Sequence, residues 1–211
     1  MKTEDLLEAL VADRATGRRP LGRTLVLAVA ASVVISLVLF LIELGVRPDI
    51  GAALATWRFD LKIAVVLLAV ALAVSFCQDA LRPDASPHPL RRLAPLLAVV
   101  LTAVAVELVL APLSSWGTRL VGSNALVCLV MIPLLSLAPL AAAVTMLRRG
   151  APASPVLAGV AAGVLGAACG AALYAFHCVD DSPLFVAVWY SLGALPVVAL
   201  GAFAGHRLLR W

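Results

Sequence analysis

Two thiols, one imidazole and one carboxylate are the side chains in this sequence whose types and placement best suit chemistry. Cys178 stands in the polar stretch His177-Cys178-Val179-Asp180-Asp181-Ser182, and Cys128 opens a long apolar run. Cys128, Cys178, His177 and Asp181 form a donor set suited to a soft metal ion, and the two thiols alone suffice for a reversible disulfide. A structural disulfide or two unrelated thiols fit the same residues. Cys77 and Cys169 fall inside apolar runs and read as small inert core residues. With only three histidines in the chain, extensive metal catalysis is not expected. His88 and His206 read as solvated or interfacial boundary residues. The sequence holds no nucleophile, base and orienter set, no phosphate-cradling glycine loop and no metalloprotease helix motif, so an enzyme is not expected. No cofactor is required on this reading; a soft metal ion or a disulfide would be regulatory.

Glu107 is the other chemically pointed residue. It lies about fifteen residues into an apolar run, which at 1.5 Å per residue is roughly 22 Å from the run's start. An unpaired charge at that depth costs several kcal/mol, so it should be paired, protonated or turned inward. Lys62 and Arg119 are the expected partners, and a static ion pair fits better than proton transport because no chain of such groups crosses the sequence. A small transporter or channel using Glu107 is the alternative function on these grounds.

The elements that must position these residues follow from the charge spacing. The 211 residues are 63% apolar and 13% charged, against about 45–50% and 25% for soluble domains. Charges recur at intervals matching the roughly 20 residues a helix needs to cross a bilayer. The expected spans are 24–44, 60–80, 93–113, 124–147, 155–176 and 183–205, giving an all-α polytopic bundle of six transmembrane helices. Arg18, Arg19 and Arg23 resemble the start of a signal peptide, but the run after them is too long and lacks a small-residue cleavage site, so it reads as a permanent helix. Twelve Lys and Arg fall in one set of connectors and four in the other. Retained cytoplasmic loops carry that excess, which places both termini in the cytoplasm, with membrane lipid around the spans. The net charge of +4 is then a matter of topology, with no direct nucleic-acid binding implied.

Two domains result: a cytoplasmic segment 1–23 and a membrane domain 24–211. Residues 3 to 13 read as a short amphipathic helix, with Thr3 as cap, an apolar stripe of Leu6, Leu7, Leu10 and Val11, and acidic Glu4, Asp5, Glu8 and Asp13. Anionic lipid would repel it, so it suits a groove on a basic partner, or packing on the protein's own inner loops. The proline- and arginine-rich loops 81–92 and 148–155 read as stiff turns. Gly159, Gly163, Gly166 and Gly170 share one helix face, which lets another helix approach closely, within the bundle or in a homo-oligomer.

Several stretches together resemble a known family: Met1-Lys2-Thr3-Glu4-Asp5-Leu6-Leu7-Glu8-Ala9-Leu10, Arg47-Pro48-Asp49, Trp57-Arg58-Phe59 with Lys62, and Arg148-Arg149-Gly150-Ala151-Pro152. The closing part, His177 through Phe185, Trp189-Tyr190, Gly193 and Arg207 to Trp211, belongs with them. Over essentially its whole length the chain is similar to the bacterial NrsF-type negative regulators of sigma F. That resemblance implies an inner-membrane anti-sigma factor that holds an extracytoplasmic-function sigma factor inactive. It also implies release on heavy-metal or oxidative stress, with outer-side cysteines matching Cys128 and Cys178. The zinc-binding cytoplasmic domain of soluble anti-sigma factors is missing, so the inhibitory surface must be small or shared with the inner loops. Placing the sigma contact on residues 3–13 follows from the helix pattern.

Overall fold

A computed structural model of the chain describes residues 21–83 and 89–210. The acidic helix expected over residues 3–13, with Glu4, Asp5, Leu6, Leu7, Glu8, Leu10, Val11 and Asp13, lies outside the described residues, as does His88. Among the described residues the fold is all helical and contains no strand. Six helices are long and apolar enough to cross a membrane. They are α1 Leu21–Glu43, α2 Trp57–Ala80, α3 Ala94–Leu110, whose span is extended back to Arg91 by the 3-10 turn before it, α4 Ala125–Leu147, α5 Pro155–Tyr174 and α6 Pro183–Leu208.

Local sequence explains where these helices begin and end. Thr56 caps α2 by accepting from the Phe59 N–H at 3.4 Å, which starts the helix a turn before the expected residue 60. Ser154-Pro155 and Ser182-Pro183 open α5 and α6 in the same manner, each serine accepting a backbone N–H and each proline taking the first helical position, where no N–H is needed. Helix α3 stops at Leu110 rather than 113 because Ala111, next to Pro112, turns extended. Gly45 ends α1 at φ 70°, where a side chain would be strained. Within α6, Val186–Tyr190 forms a π turn, a local widening that rotates the following residues relative to the helix start.

Helix α5 is the core of the bundle, packed on α2, α4 and α6. Its glycines divide their work between two neighbours. A Cβ on Gly159 would fall on the Gly201 carbonyl oxygen and 2.8 Å from Gly205 Cα in α6, while a Cβ on Gly170 would lie 2.6 Å from the Ile132 carbonyl oxygen of α4. Gly201 and Gly205 return the contact from α6, so two backbones meet without side chains between them. The stripe visible in the sequence thus serves intramolecular packing, with one half for each partner helix. Ser36 Oγ donates to the Leu135 carbonyl at 2.7 Å and fixes α1 against α4.

Helix α3 lies at the periphery, and only Ala103 and Glu107 of its length are buried. Arg92, just before it, pairs with Asp79 at the end of α2. The connectors 44–56, 111–124 and 175–182 come together at the opposite end of the bundle, where the chemically distinctive residues collect.

Candidate functional site

Residues 175–182 bind four separate parts of the fold at this end. The His177 ring nitrogen Nδ1 meets the Gly45 carbonyl at 3.1 Å. The Cys178 carbonyl accepts from Lys62 Nζ at 2.8 Å and from Arg47 Nη1 at 3.2 Å. Asp180 accepts from the Ser123 N–H at 3.0 Å and the Asn124 N–H at 2.9 Å, which places a carboxylate on the open N-terminus of α4 where the helix dipole favours it. Close packing is needed there: Gly122 adopts φ 60°, and a Cβ on it would lie 2.6 Å from the Phe185 ring. Ser182 then starts α6.

Asp181 forms the electrostatic centre. Arg47 Nη1 reaches its two oxygens at 3.0 and 2.9 Å, and Lys62 Nζ pairs with Oδ1. The Lys62 side chain is 0% exposed and that of Arg47 5%. Charges so deeply buried persist only when paired and fully hydrogen-bonded. The Phe59 ring supplies a face to both cations, with Lys62 Nζ at 5.2 Å and Arg47 Cζ at 5.6 Å from its centroid. Arg47 also forks onto Asp49 at 2.7 and 2.8 Å. That hydrogen-bonded fork holds the Asp49 carboxyl below the usual aspartate range and raises Arg47 further above its ordinary value, outweighing the opposing effect of burial.

A second cluster surrounds Glu107, which is wholly buried. Arg58 Nε reaches its Oε2 at 3.0 Å, and Arg119 Nη1 its Oε1 at 2.5 Å. Of the two partners expected from sequence, Arg119 is present. Lys62 is not; it belongs to Asp181, and Arg58 takes the place assigned to it. Arg58 and Lys62 sit one turn apart along α2; Arg58, nearer the helix start, meets Glu107, and Lys62, a turn further in, meets Asp181.

Cys128 and Cys178 are both fully buried and share one apolar cluster with Tyr174, Phe185 and Tyr190. Both are free thiols. Burial pushes the Cys178 thiol above its ordinary pKa, although the Lys62 ammonium pulls against this. The four residues grouped in the sequence do not assemble as one donor set. His177 faces the Gly45 carbonyl, Asp181 faces two cations, and among the described residues no group of three or more His, Cys, Asp or Glu is arranged to hold a metal ion. Adjacency in sequence does not make a donor set here because each side chain is already engaged, His177 by the Gly45 carbonyl and Asp181 by Arg47 and Lys62.

Sequence reasoning missed Arg47, Arg58 and Asp180. Arg47 and Arg58 entered as charges in the connector count and as members of the family-like stretches, with no pairing assigned, and the one available signal for a pairing was that both flank a span edge beside an acidic residue, Asp49 and Asp60. The Tyr190 hydroxyl is buried in the thiol cluster without a hydrogen-bond partner among the described residues.

Comparison with known proteins bears on this arrangement across the whole chain. The family described as negative regulator of sigma F matches residues 10–211. A protein of Caulobacter vibrioides (strain NA1000 / CB15N) named anti-sigma-F factor NrsF is 36% identical over 218 residues, covering 100% of both chains. A probable anti-sigma-F factor NrsF of Azospira oryzae (strain ATCC BAA-33 / DSM 13638 / PS) is 31% identical, again over 100% of each. No solved structure matches the chain significantly. With a family match over nearly every residue and relatives aligned from end to end, this chain belongs to the NrsF family of negative regulators of sigma F.

Proposed function

We propose that this protein is a multi-pass anti-sigma factor of the bacterial inner membrane, with both termini cytoplasmic, that holds an extracytoplasmic-function sigma factor inactive through residues 3–13 and its inner loops. It acts by binding rather than by catalysis and releases its partner when heavy-metal or oxidative stress reaches the outer side. The observation that carries the partner assignment is the end-to-end family match. The arginine bias of the connectors supports the orientation. A transport role for Glu107 gains no support from a carboxylate whose two oxygens are both held by arginines.

For the signal, Cys128 and Cys178 are the sensing pair, and the donor geometry favours a disulfide over a larger metal set. A hydroperoxide would accept the electron pair from the two thiols, giving the disulfide, water and an alcohol. A soft cation would instead displace the two thiol protons and sit between the sulfurs. Either event would draw the start of α4 against the 175–182 loop, which already carries Asp180 on that helix terminus. Transmission requires a bundle with two arrangements of different affinity for the signal. The test is co-purification of sigma F from membranes. The parent should retain it, Leu6→Asp with Leu10→Asp should lose it at unchanged membrane abundance, and serine at Cys128 or Cys178 should keep it but fail to release it under stress. Normal release from the double serine variant removes the sensing role, and failure of the parent to retain sigma F removes the whole reading.

A further inference from the structure

The cleft between α2, α3 and α6 has a charged end and an apolar body. At the charged end Arg58 and Arg119 share the single carboxylate of Glu107, so two cations face one anion. The carboxylate is 0% exposed while the arginine side chains are 32% and 31% exposed, which leaves the excess positive charge toward the surface. Arg58 engages only Nε, and Arg119 only Nε and Nη1. The remaining guanidinium N–H groups have no hydrogen-bond partner among the described residues. Arg58 is further held over Trp57, its Cζ 4.8 Å from the ring centroid, which restrains the guanidinium beside Glu107.

Below Arg58 a narrow opening, lined by Leu61, Val65, Val100 and Val186 and by the mutually paired Lys62 and Asp181, runs into an apolar cavity of about 170 Å³ between α2, α3, α5 and α6. Val65, Val100 and Val186 border both, so the charged end and the apolar body are continuous. The cavity exists because α3 lies at the periphery, with only Ala103 and Glu107 of its length buried. A site with an unsatisfied cationic rim over an apolar trough parallel to the helices fits an amphiphile lying along the bilayer normal. Tryptophans at the same level, Trp57 and Trp116, mark the depth at which headgroups sit.

We propose that this cleft binds one anionic phospholipid, its phosphate on Arg58 and Arg119 and an acyl chain between α3 and α2. The proposal rests on the membrane placement given above but not on sigma binding. Charge complementarity selects the anionic class, since a zwitterionic headgroup brings its own cation to a rim that already has one too many. The bound lipid fills the space that α3 leaves and holds that helix in place.

The test is native mass spectrometry of the full chain released from detergent with phosphatidylglycerol or phosphatidylcholine at equal concentration. The parent should retain phosphatidylglycerol about fivefold better for the one excess positive charge, the pull of a single basic residue on an anionic lipid. Arg58→Gln leaves Glu107 paired to Arg119 and should bring the two lipids to parity. Glu107→Gln should raise the preference about fivefold further, by the same measure. A purely structural role for the cluster would instead lower retention in both variants, which overturns the proposal. Val100→Trp, which fills the trough and leaves the charges alone, should lower retention of both lipids. Equal retention of the two lipids by the parent also overturns the proposal, as does displacement by inorganic phosphate alone, which would mark a free-anion site. Retention of sigma F is read on the same preparations, so failure of lipid selectivity is distinguishable from failure of the partner assignment.

Discussion

Replacing Asp181 by Asn tests whether the buried charges, rather than apolar packing, hold the 175–182 loop. The substitution keeps size and removes one negative charge from between Lys62 and Arg47. Arg47 retains its fork onto Asp49, but Lys62, its side chain wholly inside, is left with neutral acceptors only, the Cys178 carbonyl and the new amide oxygen, beside the Phe59 ring. Removing one member of a buried ion pair costs about 3–5 kcal/mol, because the surviving charge keeps its desolvation penalty. Asp49→Asn is the matched control, as its carboxylate is 51% exposed and water can replace it; it should cost far less. Adding Lys62→Met to Asp181→Asn removes the stranded cation and should recover most of the loss, since an apolar replacement of a buried pair is often close to neutral. Stability would be read as unfolding midpoints of the purified chain in mild detergent against a denaturing one. Equal midpoints for Asp181→Asn and Asp49→Asn, or no recovery in the double variant, would refute the assignment of Asp181 as the electrostatic centre.

Three further outcomes are expected. Gly159→Leu should destabilise by at least about 1–3 kcal/mol, the usual range for overpacking, because its side chain would enter the α6 backbone; Gly51→Leu, where a Cβ meets nothing within 4 Å, should not. Asp180→Ala should cost about 0.5–2 kcal/mol by uncapping α4, seen as faster hydrogen exchange at Ser123 and Asn124; unchanged exchange there would remove its capping role. In a variant retaining Cys178 as its only cysteine, maleimide labelling at neutral pH should be slower than for a cysteine peptide. A raised pKa means less thiolate at neutral pH, so the rate should climb as pH rises into the alkaline range; labelling as fast as the peptide at neutral pH would show that the thiol is neither buried nor shifted.

The six long helices were legible because their signal is carried by charge spacing alone, which needs no knowledge of partners. Helix ends shifted by a few residues wherever a cap or proline acted: Thr56 lengthened α2, and Ala111 before Pro112 shortened α3. The glycine face of α5 was legible too, since the 4-3-4 spacing fixes the face; that its halves serve different helices depends on the crossing of α4 and α6, which one helix's sequence does not encode. The charge clusters were the least legible. Arg47 and Asp181 stand 134 positions apart and Arg58 and Glu107 49, and which connector meets which is decided by bundle order. A lysine near a span edge reads as an interfacial residue until the capping turn before it is known, and that turn carried Lys62 inside.

The pairing of Lys62 with Asp181 also sets a clock on the synthesis of the protein. The two residues are 119 positions apart, so at about 5–20 residues per second the lysine emerges roughly 6–24 s before its counter-ion exists. During that interval α2 carries a cation whose final partner has not been translated. The ion pair that fixes the start of α2 therefore forms only after the last connector has been made. A chain interrupted anywhere before Asp181 lacks the counter-ion of Lys62 altogether.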